Sequence, residues 1–148
     1  MVNFPVAFVG QSQATSGIKT AWMTSASESE AACCIPPEFE GAGGNFSPED
    51  FFLMALQNCF VATFKVYAEY SKLSFTNLQV KGELIVDKNE AGKPIMKDLN
   101  LVIDIDEVQD EKKALLLIKK TLLNGFILQS VKTNIIPHIL INGVPVEG

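Results

Sequence analysis

The stretch Ser47-Pro48-Glu49-Asp50, followed at once by Phe51, Phe52, Leu53, Met54, Ala55 and Leu56, constrains this chain more than any other. A hydroxyl stands where a helix N-cap belongs, and proline follows at the first helical position. Two acids then occupy the first turn, where they oppose the positive end of the helix dipole. The pattern predicts a helix from here to about Ser71. Phe60, Val61 and Phe64 carry its apolar character nearly all round, so it is expected to be a long central buried helix with the rest of the chain wrapped about it. The apolar run over 51–64 contains Gln57 and Asn58 and is shorter than the roughly 20 residues a membrane span needs.

Around that helix the chain reads as strands, helix, strands, helix, strand, an α+β fold. Residues 2–9 and 18–24 are rich in Val, Phe, Ile, Thr and Trp and are expected as two strands, joined by the polar, glycine-containing residues 10–17. Residues 25–45, with Pro36-Pro37 and Gly41, Gly43 and Gly44, are expected to be irregular. Leu78, Val80, Leu84 and Val86 alternate with polar residues, as do Leu99, Leu101, Ile103 and Ile105, so two half-buried strands are predicted. The turn residues Asn89 to Pro94 between them predict an antiparallel hairpin. Ala114, Leu117, Ile118, Thr121 and Leu122 repeat at helical spacing, with Asn124-Gly125 as a stop. Residues 133–142 form a last strand, which Pro137 places at an edge or a bulge.

At 148 residues the chain is expected to form one domain, 1–148. Hydrophobic residues at 47% and charged residues at 20% are those of a packed globular protein. Seventeen acids against twelve bases give a net charge of -5, the wrong sign for a nucleic acid or an anionic membrane surface. All twelve bases are Lys, so no guanidinium is available to grip a carboxylate or phosphate. Three cysteines, two of them adjacent as Cys33 and Cys34, do not make a secreted disulfide framework. The N-terminus has no basic region and its apolar run is broken by Pro5, so no secretory signal is expected and the protein is placed in the cytoplasm.

Most candidates for chemistry read as structural. His138 alternates with Ile136 and Leu140 on a strand, without a Ser or Asp pattern to pair with it. One histidine and three cysteines lack the spaced pairs that a metal prefers, so no metal and no bound cofactor are expected. Gly41 to Gly44 precede a helix, but no Gly-Lys-Ser/Thr follows, Phe46 stands where a dinucleotide loop would want glycine, and Pro48, Glu49 and Asp50 disfavour an anion. Cys59, mid-helix in apolar surroundings, would by itself read as an inert small hydrophobe.

Its neighbours change that reading. Pro36-Pro37-Glu38-Phe39-Glu40-Gly41, Ser47-Pro48-Glu49-Asp50, and Ala55 with Cys59-Phe60 and Thr63-Phe64 resemble, at matching spacing, the OsmC/Ohr family of organic hydroperoxide resistance proteins. The resemblance implies an intertwined α+β homodimer, with antiparallel sheets about the central helix and a reactive cysteine at the subunit interface. It assigns Cys59 as peroxidatic nucleophile and Glu49 as the helix-start acid of the site. These two lie ten residues apart on one helix, about 15 Å along its axis. If both serve one site, Glu49 must come from the partner subunit.

The chain departs from the family at two places. The second cysteine, which in the family captures the oxidised sulfur, is replaced by Gly125 ahead of Phe126-Ile127-Leu128-Gln129-Ser130. The arginine of the Ohr branch is absent, and Lys19, expected on the second strand, is the nearest replacement by region. Cys33 and Cys34, in an irregular segment, could resolve Cys59; otherwise an external dithiol must regenerate it. The expected function is that of a thiol-dependent organic hydroperoxide reductase or a diverged relative. The alternative is a dimeric binder of an apolar small molecule, or a single-cysteine redox sensor.

Overall fold

The computed structural model describes residues 2–147. In chain order these form β1 (Gly10–Gln13), β2 (Trp22–Ala26), β3 (Ser29–Cys33), α1 (Pro48–Tyr70), β4 (Asn77–Lys88), β5 (Pro94–Asp106), α2 (Glu111–Asn124), β6 (Asn134–Ile141) and β7 (Val144–Val146). Short 3-10 turns occupy Pro37–Phe39 and Leu128–Ser130. The fold is α+β, as the sequence predicts. The chain divides into two compact units, Met1–Phe52 and Leu53–Gly148, with α1 continuous through the boundary.

The first unit holds an antiparallel sheet in the order β1-β2-β3. It departs from the expected pair of strands over 2–9 and 18–24. Residues 2–9 form no strand pairing among the described residues and expose Phe4, Phe8 and Val9, whereas the polar stretch Gly10–Gln13 is the strand. Ser12 Oγ donates to Thr24 Oγ1 across the pair at 2.9 Å. Within the segment expected to be irregular, β3 pairs with β2 through a tight hairpin, Ser27 taking the left-handed φ of +56° that reverses the chain. Lys19 is not on a strand; it lies in the connection before β2, its Nζ 3.5 Å from the Gly41 carbonyl. Gly41 is buried in the loop after Pro36-Pro37, where a Cβ would collide with the Ile35 carbonyl, so no other residue fits there.

The helix begins where the cap predicts. Ser47 Oγ accepts from the Asp50 N–H at 3.0 Å while Asp50 Oδ2 accepts from the Ser47 N–H at 2.9 Å, a reciprocal box that satisfies two otherwise orphaned donors. Burial along α1 is narrower than expected. Leu56, Cys59, Phe60, Phe64 and Ala68 are buried, a single stripe at helical spacing, while Phe51, Phe52, Leu53 and Met54 are half-buried and Val66 is 51% exposed. By length and composition α1 could also cross a bilayer, a test that core helices of soluble proteins pass equally well.

The second unit is built on a four-stranded sheet ordered β4-β5-β6-β7. β4 and β5 form the predicted antiparallel hairpin, and α2 is the crossover that lets β6 lie parallel to β5. From Leu99 on, Leu99, Leu101, Ile103 and Ile105 put every second side chain of β5 wholly out of solvent. Gly82 on β4 lies beneath α1, where a Cβ would come within 2.6 Å of Leu53 Cδ1. β6 is continuous through Pro137. There β5 pairs on one side and β7 reaches only Ile139–Ile141 on the other, so the outer edge at Pro137 is open and a missing N–H is tolerated. His138 is exposed, 3.3 Å from Asn100 Oδ1, a surface residue.

Candidate functional site

Cys59 sits near the middle of α1 and is 8% exposed. Cys59, Thr63, Val66 and Tyr67 follow each other along α1 at i, i+4, i+7 and i+8, which places them on one face. That face, with Phe126 and Ile127 from the turn after α2, bounds an apolar cavity of about 400 Å³. The volume lies within the range of small-molecule sites, and among the described residues the thiol is the only strongly nucleophilic group on its wall. Helical periodicity alone would have found Thr63, Val66 and Tyr67. Phe126 and Ile127 carry no such signal, because their approach depends on how the turn after α2 folds back.

Gly125 is the close neighbour of the sulfur. The sequence suggests that it is a helix stop, and α2 does end there, with the Gly125 N–H donating to the Thr121 carbonyl at 2.9 Å. Its backbone is extended, however, at φ -62° and ψ 124°, a conformation open to any residue. What distinguishes the position is proximity: a Cβ there would lie 3.0 Å from Cys59 Sγ, 3.1 Å from Leu128 Cδ1 and 3.3 Å from the Thr121 carbonyl, tight contacts that ask the neighbours to give by a few tenths of an ångström. Position 125 therefore faces the Cys59 sulfur directly.

Glu49 lies in the first turn of α1, and ten residues of helix keep it about 15 Å from Cys59 within the chain. Its Oε1 is buried and finds no hydrogen-bond partner among the described residues. A buried acceptor without a partner is uncommon and needs a donor from elsewhere.

Cys33 and Cys34 are both 3% exposed and neither is in a disulfide. They are not in a loose segment: Cys33 ends β3 and Cys34 Sγ donates to the Asn45 carbonyl at 3.4 Å. Burial pushes the Cys33 thiol above its ordinary value, and the negative charges of Glu49 and Asp50 push the same way. A second cavity, of about 580 Å³, has Cys33 on its wall beside Trp22 and Phe51, but a thiol held protonated there is a poor nucleophile. Among the described residues no three His, Cys, Asp or Glu side chains gather as a metal site would need.

Tyr67 lines the cavity, and Lys120 of α2 lies over the Tyr67 ring with Nζ 4.4 Å from the centroid. That contact joins residues on two helices and has no signature in either.

Among solved structures, the chain is similar to an OsmC-like protein of unknown function from Vibrio cholerae, at TM-score 0.82 and 16% identity, over 92% of this chain and 100% of that one. It is similar to an organic hydroperoxide resistance protein OsmC from Legionella pneumophila at TM-score 0.71 and 17% identity, over 94% and 98% of the two chains. It is also similar to the organic hydroperoxide resistance protein OhrB of Bacillus subtilis, at TM-score 0.66 and 16% identity over 90% and 98%. At such identities the likeness is one of fold. No curated protein matches the sequence. The family model described as OsmC-like protein matches residues 41–139, a span that takes in α1, Cys59, Gly125 and most of the larger sheet, and the chain belongs to that family.

Proposed function

We propose that this chain is a thiol-dependent organic hydroperoxide reductase, acting as a homodimer in a reducing compartment such as the cytoplasm. Cys59 is its peroxidatic nucleophile, and Glu49 of the partner subunit stands beside it. The observation that carries the reading is the thiol of Cys59 on the wall of an apolar cavity of about 400 Å³ that can hold the organic part of a hydroperoxide. Family membership and neighbours bearing the hydroperoxide resistance name support it. The dimer is supported by the apolar side chains of α1 that one chain leaves half-exposed, and by the unpartnered Glu49 Oε1.

The Cys59 thiol passes its proton to the carboxylate of the partner subunit's Glu49 and attacks the terminal oxygen of the hydroperoxide. The S–O bond forms as the O–O bond breaks, and the departing alkoxide takes the proton to become an alcohol. Sulfur is oxidised to a sulfenic acid and the peroxide is reduced. One thiol of an external dithiol then forms a mixed disulfide with Cys59, releasing water. The second thiol displaces Cys59 as a free thiol and leaves an oxidised dithiol. Regeneration is assigned to an external thiol because Gly125 offers no sulfur and Cys33 and Cys34 are buried.

Consumption of cumene hydroperoxide with dithiothreitol present tests the reading. Wild type is expected to turn over repeatedly, Cys59→Ser to fall to the uncatalysed rate, and a Cys33→Ser, Cys34→Ser variant to remain active. The absence of an arginine and of a cysteine at position 125 favours a second reading, a single-cysteine sensor or a binder of apolar molecules. Wild type that shows no turnover would replace the first reading with the second.

A further inference from the structure

The Cys59 cavity extends from the sulfur in one direction along α1. Ala62, Thr63, Val66 and Tyr67, its other lining residues on that helix, all lie C-terminal to Cys59. A hydroperoxide whose organic part fills the cavity therefore presents its two oxygens between that part and the sulfur, along the wall that carries Thr63. Displacement at oxygen is in line, so the departing oxygen lies on the side of the terminal oxygen away from the sulfur. Negative charge develops there as the O–O bond breaks, and a hydrogen-bond donor at that point lowers the barrier. The chain has no arginine to supply one.

Three lining side chains carry a donor: Thr63, Tyr67 and Asn124. Tyr67 is eight residues from Cys59, about 12 Å along the helix axis, too far to meet an oxygen next to the sulfur. The Asn124 amide already donates to the Lys120 carbonyl at 2.9 Å. Thr63 stands one turn from Cys59, and side chains at i and i+4 have Cβ atoms about 5–6 Å apart, so a small group at the sulfur can touch both. Helical threonines commonly spend their hydroxyl on the carbonyl four residues back, as Thr121 does on Leu117 at 2.7 Å. Thr63, half-buried on the cavity wall, makes no such bond among the described residues, which leaves its hydroxyl for a ligand. We propose that Thr63 is a catalytic residue of the peroxide step, its hydroxyl donating a hydrogen bond to the departing oxygen of the hydroperoxide. The S–O bond forms and the O–O bond breaks as before. The alkoxide takes the proton given up by the Cys59 thiol, and Thr63 keeps its own.

The proposal rests on Cys59 being the peroxidatic thiol, and its test separates the two claims. Reduced protein is mixed with cumene hydroperoxide, quenched at intervals with a thiol-blocking reagent, and the loss of free Cys59 thiol is followed by peptide mass. Thr63→Val keeps the shape of the side chain and removes the hydroxyl. It is expected to slow the reaction roughly 10- to 100-fold, the worth of one hydrogen bond to a charged oxygen. Thr63→Ser, which restores the hydroxyl, should recover most of the rate. Perbenzoic acid gives a readout that a merely structural role would not produce. Its leaving group is a carboxylate, already a stable anion, so Thr63→Val should react with it at close to the wild-type rate. Equal slowing with both oxidants would mean a disturbed pocket, and no slowing with either would mean an unused hydroxyl. Each result overturns the role of Thr63 and leaves the reductase standing. A wild-type Cys59 thiol that survives cumene hydroperoxide would remove the reductase and the role of Thr63 together.

Discussion

A Gly125→Cys variant is expected to answer an organic hydroperoxide with a disulfide between the introduced cysteine and Cys59, losing two hydrogens where wild type gains one oxygen. The geometry supplies the reason. A Cβ at position 125 would lie 3.0 Å from Cys59 Sγ. In a disulfide, an S–S bond of about 2.04 Å and a near-tetrahedral angle at sulfur put each Cβ about 3 Å from the far sulfur. The bridge therefore asks for shifts of only a few tenths of an ångström, against Leu128 Cδ1 at 3.1 Å and the Thr121 carbonyl at 3.3 Å. Closing the chain between positions 59 and 125 should also raise stability by about 4 kcal/mol in the loop-entropy account. Intact mass with and without reductant, and denaturant midpoints of the two forms, measure both effects. Failure of the bridge to form in an otherwise folded variant would show that position 125 does not face the sulfur as described.

Phe60→Ala is expected to cost about 3–5 kcal/mol, a large share of the roughly 5–15 kcal/mol that holds a domain together. Phe60 is wholly buried, and its ring lies nearly parallel to that of Phe64 with centroids 5.8 Å apart. Phe64 in turn meets Phe75 at 5.7 Å. Removing the first ring deletes its transfer free energy and leaves a cavity in a row of aromatics that cannot easily collapse. Phe60→Leu keeps most of the volume and should lose less than half as much. Urea midpoints for the two variants decide this; a cost for Phe60→Ala below about 1 kcal/mol would mean that α1 is not fixed through this stripe.

The parts of the fold legible in the sequence are those whose signal is local. The box between Ser47 and Asp50, the alternation in β4 and β5, and the helical spacing of Ala114, Leu117, Ile118 and Thr121 all state their structure within a few residues. The first unit is different. β1 is Gly10-Gln11-Ser12-Gln13, a strand by virtue of its partner in β2 and with no apolar alternation of its own. The apolar residues 2–9 that look like a strand find no strand partner among the described residues. β3 has no local signal either, because Ser-Glu-Ala-Ala-Cys carries little β propensity and the hairpin turns at Ser27, which is no standard turn signal.

At the site, a family resemblance singled out Cys59, but the meaning of Gly125 needed three dimensions. Read along the chain it is a helix stop, whereas in space it is the residue against the sulfur. Lys19 showed the opposite failure: a cation chosen by region proves to lie in a turn and to reach the Gly41 carbonyl. Lys120, whose ammonium lies over the Tyr67 ring, looks in the sequence like one more solvated lysine on the outside of α2.

The most direct test of the central claim, that Cys59 is the group a peroxide oxidises, is a map of where one oxygen lands. Fully reduced protein is treated with one equivalent of cumene hydroperoxide at neutral pH without added thiol, then digested and read by peptide mass. The expected result is one oxygen on the peptide containing Cys59 and none on the peptide containing Cys33 and Cys34, whose thiols are shielded and, at Cys33, held protonated by burial. Oxidation confined to Cys33 or Cys34, with Cys59 recovered unmodified, would contradict it.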